Sequence, residues 1–424
     1  MRLSTAIAYL LPARDRPNLT IRPHCLVNRV LFTGDRAVGV EFDVADERYE
    51  VRGRRVTLAA GAIGSPAILL RSGIGAGSAL AELGIEPVAD LPGVGAGLTD
   101  HPVARLLLVP KPGSCNPQTP LAQIVLRYTA AGSGEFNDMQ QVVFSHVDVA
   151  GLGGPEAVAA VGAPLAIGLP VALERPHARG RLLLASPDPR AQPLIQLNFA
   201  DNPEDLRRLG AGVRLAWQIA HEPEITRHTD HVAMLPEETI SSDDALVAYV
   251  RATVATQFHP CGTARMGPPG DAMAVVDQYC RLRAIRNLRV VDASVMPAIP
   301  RANINLTCIM IGDACPTGCA PSNQRGVGFG QPRRTKGHCC HGGFPGVADA
   351  GVFELVPAAA ARTSRGGYKR WKTTSVRNRY DAGSEGPASS ERPSGSGPSP
   401  SSRPPRSVPD GGRFRIRGDE LADR

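Results

Sequence analysis

The stretch "RRVTLAAGAIGSPAILLRSGI" (residues 54–74) decides the fold, because its apolar period changes halfway through. Val56–Ala60 has the apolar run of a buried strand. Gly61 and Gly64 break that run. Pro66–Ser72 then reads as a helix, with Ser65 as its N-cap and Pro66 at the first position. A strand, a glycine turn and a helix N-terminus in succession place the chain in the α/β class. The same geometry brings backbone N–H groups near a phosphate or ring, and an ordinary strand-to-helix connection produces it equally well.

Upstream, "LTIRP", "CLVNRVLF" and "AVGVEF" read as strands, with "TGD" and "DERYE" between or after them. At the N-terminus, Ile7, Leu10 and Leu11 share one face of a helix that Pro12 stops. Downstream, "LPGVGAGLTDHP" (91–102) is a glycine-punctuated loop, and residues 103 to about 175 alternate weakly, as a sheet does. "RGRLLLASPDPRAQPLIQLNF" gives two strands joined by a Pro/Asp turn. Two amphipathic helices follow, one capped near Asn202 and one with a serine cap and acidic first turn in "SSDDALVAYVRATV". "NLRVVDASVMP" is a buried strand ending in Asp292, and "NINLTCIMIGDA" opens a last apolar helix.

With 424 residues there is room for two or three domains. The net charge of +7 comes largely from arginines after residue 320, so it marks a tail and not a nucleic-acid-binding face. That tail, rich in Gly, Pro, Ser and Arg, buries too little apolar surface to fold. No apolar run approaches the ~18 residues of a membrane span. Nine cysteines without framework spacing fit reduced thiols in the cytoplasm. The Cys/His cluster at 315–341 has no C-x2-C pair, so no metal is expected, and the lack of a G-x-S-x-G elbow excludes a serine hydrolase.

Chemistry concentrates in "QFHPCGTARMG" (257–267). Pro260 and Gly262 fix a non-helical backbone around His259, whose neutral imidazole can take a proton from a hydroxyl near physiological pH. Asn305 is either an amide that holds an oxygen or a plain N-cap for the helix after it. Asp292, at the carboxyl end of an apolar strand, suits a cofactor hydroxyl.

"GAIGSPAILLRSGIG", "LPGVGAGLTDHP", "HPCGTARMG", "VDASVMP" and "NINLTCIMIG" occur in an order and spacing that resemble the glucose–methanol–choline (GMC) oxidoreductases, in their choline- and alcohol-dehydrogenase-like branch. The resemblance covers about residues 1–314. It implies a Rossmann-like FAD-binding domain with a sheet-based α+β substrate domain, divided as 1–102, 103–215, 216–314 (return to the FAD domain) and a disordered tail, 315–424. It also implies a flavoprotein that oxidises a CH–OH group of a small alcohol, leaving the electron acceptor open. His259 matches the catalytic base and Asn305 its oxygen-binding partner. Val27 matches a position near adenine, and Ala60 and Gly61 a turn beside the nucleotide. Asp292, Ala293, Asn303 and Thr307 match cofactor-binding positions. Sparse aromatics, at 4%, offer little for a quaternary-ammonium cage and favour a primary alcohol or aldehyde hydrate.

Two departures accompany the resemblance. "GIGAG" and "GVGAG" lack the G-x-G-x-x-G spacing and context of the family's pyrophosphate-binding unit. The expectation is a chain lacking that unit and needing it from a separately encoded N-terminal half, or else an inactive remnant. The switch from "IMIGDA" to "CPTGCAPSNQRG" reads as a shifted frame.

Overall fold

The computed structural model describes residues 4–317, 354–355 and 406–407. The expected disordered tail, 315–424, lies outside the described residues apart from 315–317, 354–355 and 406–407, as does most of the Cys/His cluster. Two apolar cores organise the described chain. The first draws on residues 30–94, on Leu182 and on 261–315. The second draws on residues 104–250.

In the first unit, Leu26–Thr33, Arg36–Val44 and Glu47–Arg52 form an antiparallel meander. Gly34, at φ +56°, supplies the left-handed residue of the tight turn in "TGD". "DERYE" enters the third strand, whereas "LTIRP" joins no ladder. Buried Glu41 and Asp43 point toward arginines, with Arg29 at 3.1 Å from Glu41 and Arg48 at 3.2 Å from Asp43. Val56–Leu58 then pairs in parallel with Leu288–Val290, Leu58 opposite Val290. Two segments far apart in sequence thus end side by side, and their carboxyl ends carry Gly61 and Asp292.

The helix after the first of these strands is Gly61–Arg71, starting before the expected Ser65–Pro66 boundary. Pro66 lies inside it, where its missing N–H leaves the carbonyl of Ala62 without the usual partner. The Thr263 hydroxyl donates to that carbonyl at 2.7 Å, which is why the helix tolerates the proline. Ser65 is no cap here: its Oγ accepts from Ala60 N–H at 3.0 Å and donates to Asp292 at 2.5 Å.

The second unit is an antiparallel sheet in the order Thr229–Ala233, Pro102–Pro110, Leu165–Leu173, Met139–Asp148, Ala122–Tyr128. Helix Pro203–Ala220 buries Leu206, Leu209 and Val213 in this core. Gly212 permits the close approach, since a Cβ there would sit 2.5 Å from Val171. Both expected caps are present: Asn202 accepts from Asp205 N–H, and Ser242 from Ala245 N–H at the start of Asp243–Thr253. Leu246 and Val250 of that second helix pack in the same core, so residues 216 to about 254 belong with this sheet and the chain rejoins the first core from Cys261.

Arg208, fully buried, donates to Asp138 at 2.9 Å and to Asp205 at 2.7 Å. Removing it strands two buried carboxylates, so Arg208→Ala is expected to cost about 3–5 kcal/mol of stability. Denaturant melts of the two proteins measure this, and a loss below about 1 kcal/mol would refute it. Cys280 and Cys315 form a disulfide, with Cα atoms 6.2 Å apart. That pair corrects the expectation of reduced thiols throughout: both cysteines are buried in the first core and meet across 35 residues of chain. Among the described residues no helix is long and apolar enough to cross a membrane, and no group of His, Cys, Asp and Glu is placed to hold a metal.

Candidate active site

Three segments build the site. Residues 99–101 and 257–261 run antiparallel, with Thr99 N–H to Cys261 O at 3.0 Å, Cys261 N–H to Thr99 O at 2.8 Å and Gln257 N–H to His101 O at 3.1 Å. Beyond them Gly262, Ala264 and Met266 donate to the carbonyls of Ala293, Ser294 and Val295. Gly262 makes the turn possible: its φ is +83°, and a Cβ there would lie 3.0 Å from the carbonyl oxygen of Gly97. Phe258 precedes His259 at φ +65°, a costly conformation for a bulky residue. Asp100 holds it in place, accepting from His259 N–H at 2.9 Å and from the hydroxyl of Thr256, which in turn accepts from Phe258 N–H. Burial raises the Asp100 carboxyl above its ordinary range.

His259 is half-buried, and burial lowers its pKa. Its Nε2 lies 3.2 Å from the side-chain amide nitrogen of Asn303. Its Nδ1 lies 3.0 Å from Nδ1 of His101, whose Nε2 lies 3.0 Å from the carbonyl oxygen of Pro300. Behind His101, the buried Glu174 carboxylate approaches that Nε2 to 3.6 Å. Burial drives the His101 pKa down to about 3 and the Glu174 pKa up to about 7.

The expected site residues are therefore only partly assembled. Asn303, not Asn305, presents its amide to His259: the last helix begins at Asn305, leaving Asn303 on the extended approach and free to turn inward. Asn305 is exposed at the first helical position. Asp292 does not offer a free carboxylate to a cofactor hydroxyl. One oxygen accepts from Gly61 N–H at 3.0 Å and from Ser65, the other from Ser294 N–H at 2.8 Å and from the Ser294 hydroxyl, which occupies all four lone-pair positions. It clamps the two parallel strand ends together. Val27 gives its carbonyl to Arg71 at 3.3 Å, Ala293 gives its own to Gly262, and Thr307 is half-buried in the last helix. Gly61 has a φ of +76°, and nothing lies within 4 Å of where a Cβ would sit. His101 and Glu174 were not singled out by sequence; His101 sits inside the quoted glycine loop, and Glu174 carries no motif at all.

A cavity of about 300 Å³ adjoins these segments, lined among others by Gly97, Thr99, Arg179, Gly262, Arg265 and Met296. His259 and Asn303 are not among its lining residues, so the chemistry and not the cavity marks the site.

Residues 1–103 match the N-terminal model of the GMC oxidoreductases and residues 176–312 the C-terminal one. The chain belongs to the GMC oxidoreductase family. It is 36% identical over 336 residues to an oxygen-dependent choline dehydrogenase of Escherichia coli (strain UMN026), covering 74% of this chain and 59% of that protein. The chain thus spans less than two thirds of the length of such relatives. Among solved structures it resembles pyridoxine 4-oxidase from Mesorbium loti, with a TM-score of 0.68, 27% identity, and coverage of 75% of this chain and 62% of that one. A fungal aryl-alcohol oxidase shares the fold at a TM-score of 0.61 and 22% identity, covering 74% of this chain and 63% of that one.

Proposed function

We propose that this GMC oxidoreductase chain carries the catalytic face of an FAD-dependent enzyme that oxidises a primary alcohol or aldehyde hydrate. The observation that carries the reading is the convergence of His259 Nε2 and the Asn303 amide, 3.2 Å apart, on an open face beside two strand carboxyl ends. An oxygen placed there receives a hydrogen bond from Asn303 and hands its proton to His259, within ordinary hydrogen-bond reach of both. Asn303 then stabilises the developing negative charge on that oxygen. Asp100 and the Thr99–Cys261 pairing hold the base still.

FAD, when bound, supplies the hydride acceptor. The open turn at Ala60–Gly61, the Asp292 clamp and the 293–303 segment suit its ring and ribityl end. The glycines of "GIGAG" and "GVGAG" do not suit the phosphates. A Cβ on Gly93 would meet the Met273 carbonyl oxygen at 2.1 Å, one on Gly95 that of Leu182 at 2.3 Å, and one on Gly75 the Leu70 side chain at 2.6 Å. These glycines serve internal packing. The filled loops favour a second reading alongside the first, in which residues other than these glycines hold the phosphates.

The two asparagines separate by mutation. Asn303→Ala is expected to lower kcat by about 10²–10³, the usual cost of losing one donor to a developing oxyanion, with Asn303→His less harmful. Asn305→Ala is expected to stay within about twofold of the parent. Steady-state kinetics of the flavin-loaded proteins decide it, and equal losses at 303 and 305 would reject the assignment.

A further inference from the structure

We propose that His101 is a positioning residue that fixes the tautomer of His259, placing the proton on Nδ1 and leaving Nε2 bare toward Asn303. The Pro300 carbonyl oxygen can only accept, so His101 Nε2, 3.0 Å away, carries the hydrogen. The nearby Glu174 oxygen, 3.6 Å off, draws the hydrogen to the same nitrogen. Buried and held neutral, with Arg127 and His259 adding to the penalty on its charged form, His101 then has a lone pair on Nδ1. Its neighbour across 3.0 Å, His259 Nδ1, must therefore donate. A neutral His259 has one hydrogen, so its Nε2 accepts.

The other end of the hydrogen-bonded line agrees with this assignment. With Nε2 bare, the amide nitrogen of Asn303 at 3.2 Å is the correct group to face it. Asn303, His259 and His101 thus donate all in one direction, along a line that ends on the accepting Pro300 carbonyl. The two rings meet edge to face at 84°, with centroids 5.1 Å apart, which keeps the nitrogens aligned and the imidazole from rotating. Asparagine at 101 would carry its side-chain oxygen near the position of Nδ1 and preserve the acceptor; leucine would remove it.

The catalytic consequence rests on the proposed role of His259 as base, whereas the tautomer itself does not. The test is nitrogen-15 NMR of the full 424-residue chain labelled in its histidine rings, with His259 assigned by the signals lost in His259→Ala. The parent and His101→Asn are expected to show a protonated Nδ1 and a bare Nε2 at residue 259. His101→Leu is expected to shift the proton toward Nε2. A parent with the proton on Nε2 overturns the inference whether or not any variant folds, and so does His101→Leu with unchanged ring signals. In flavin-loaded protein His101→Leu should lose at least about tenfold in kcat with little change in KM, and His101→Asn should recover most of it, since a wrong tautomer in a histidine base costs up to about 10⁴-fold. If the tautomers hold while His259→Ala stays active, the base assignment falls and the tautomer inference stands.

Discussion

His259→Ala, in protein loaded with flavin, is expected to lose about 10²–10⁴-fold in kcat/KM for a primary alcohol while keeping its flavin, the range that general base catalysis usually contributes. The loss is large because alanine removes the proton acceptor and leaves Asn303 facing an empty space at the reacting oxygen. Flavin is kept because the loop backbone is pinned by Asp100 and by the Thr99–Cys261 hydrogen bonds, none of which involves the imidazole. A pH profile carries the same signature. The base works unprotonated, and burial lowers the pKa of His259 below the ordinary histidine value. In the parent, kcat/KM should therefore be high at neutral pH and fall only as the pH drops below about 6.5. A variant within about twofold of the parent would remove His259 from the role.

The second large effect concerns flavin loading. The 424-residue chain expressed alone is expected to purify without yellow colour, because Gly73, Gly75, Gly93 and Gly95 are packed against neighbouring backbone or side chains and offer no open phosphate cradle. Supplying a strand–G-x-G-x-x-G–helix unit, in trans or fused at the N-terminus, should restore binding, since such a turn presents backbone N–H groups and a helix N-terminus to the pyrophosphate. Absorbance at the flavin bands, per mole of protein, measures both preparations. Stoichiometric flavin in the chain alone would show that it needs no added unit.

What the sequence made legible was local. The caps at Asn202 and Ser242 are decided by one side chain reaching a backbone N–H three residues on, and both are present. The Pro/Asp turn between Gly180–Leu183 and Leu194–Gln196 is equally local. The features that are not local depend on a distant residue. The helix start moved from Ser65 to Gly61 because Thr263, some two hundred residues away, satisfies the carbonyl that Pro66 leaves open. The carboxylate of Asp292 at the strand end accepts from Gly61, Ser65 and Ser294, and only Ser294 is a near neighbour in sequence. Cys280 and Cys315 carry no spacing signal, and only the packing of the last helix brings them together.

The site was half legible for the same reason. His259 stood out because Pro260 and Gly262 flank it, which is local information. The choice between Asn303 and Asn305 was not available from "NIN", since it depends on where the last helix starts and which side chain remains free to turn. Glu174 has no motif, and its nearness to His101 follows from the antiparallel pairing of Leu165–Leu173 with Pro102–Pro110, which sets Ala172 opposite Val103 and carries Glu174 toward His101.

The most direct test of the central claim is anaerobic mixing of the flavin-loaded protein with a primary alcohol while the flavin absorbance is recorded. The account predicts rapid bleaching of the flavin bands in the parent and bleaching slower by about 10²-fold or more in His259→Ala. Equal rates in the two proteins, or a loaded parent that no alcohol bleaches, would contradict it.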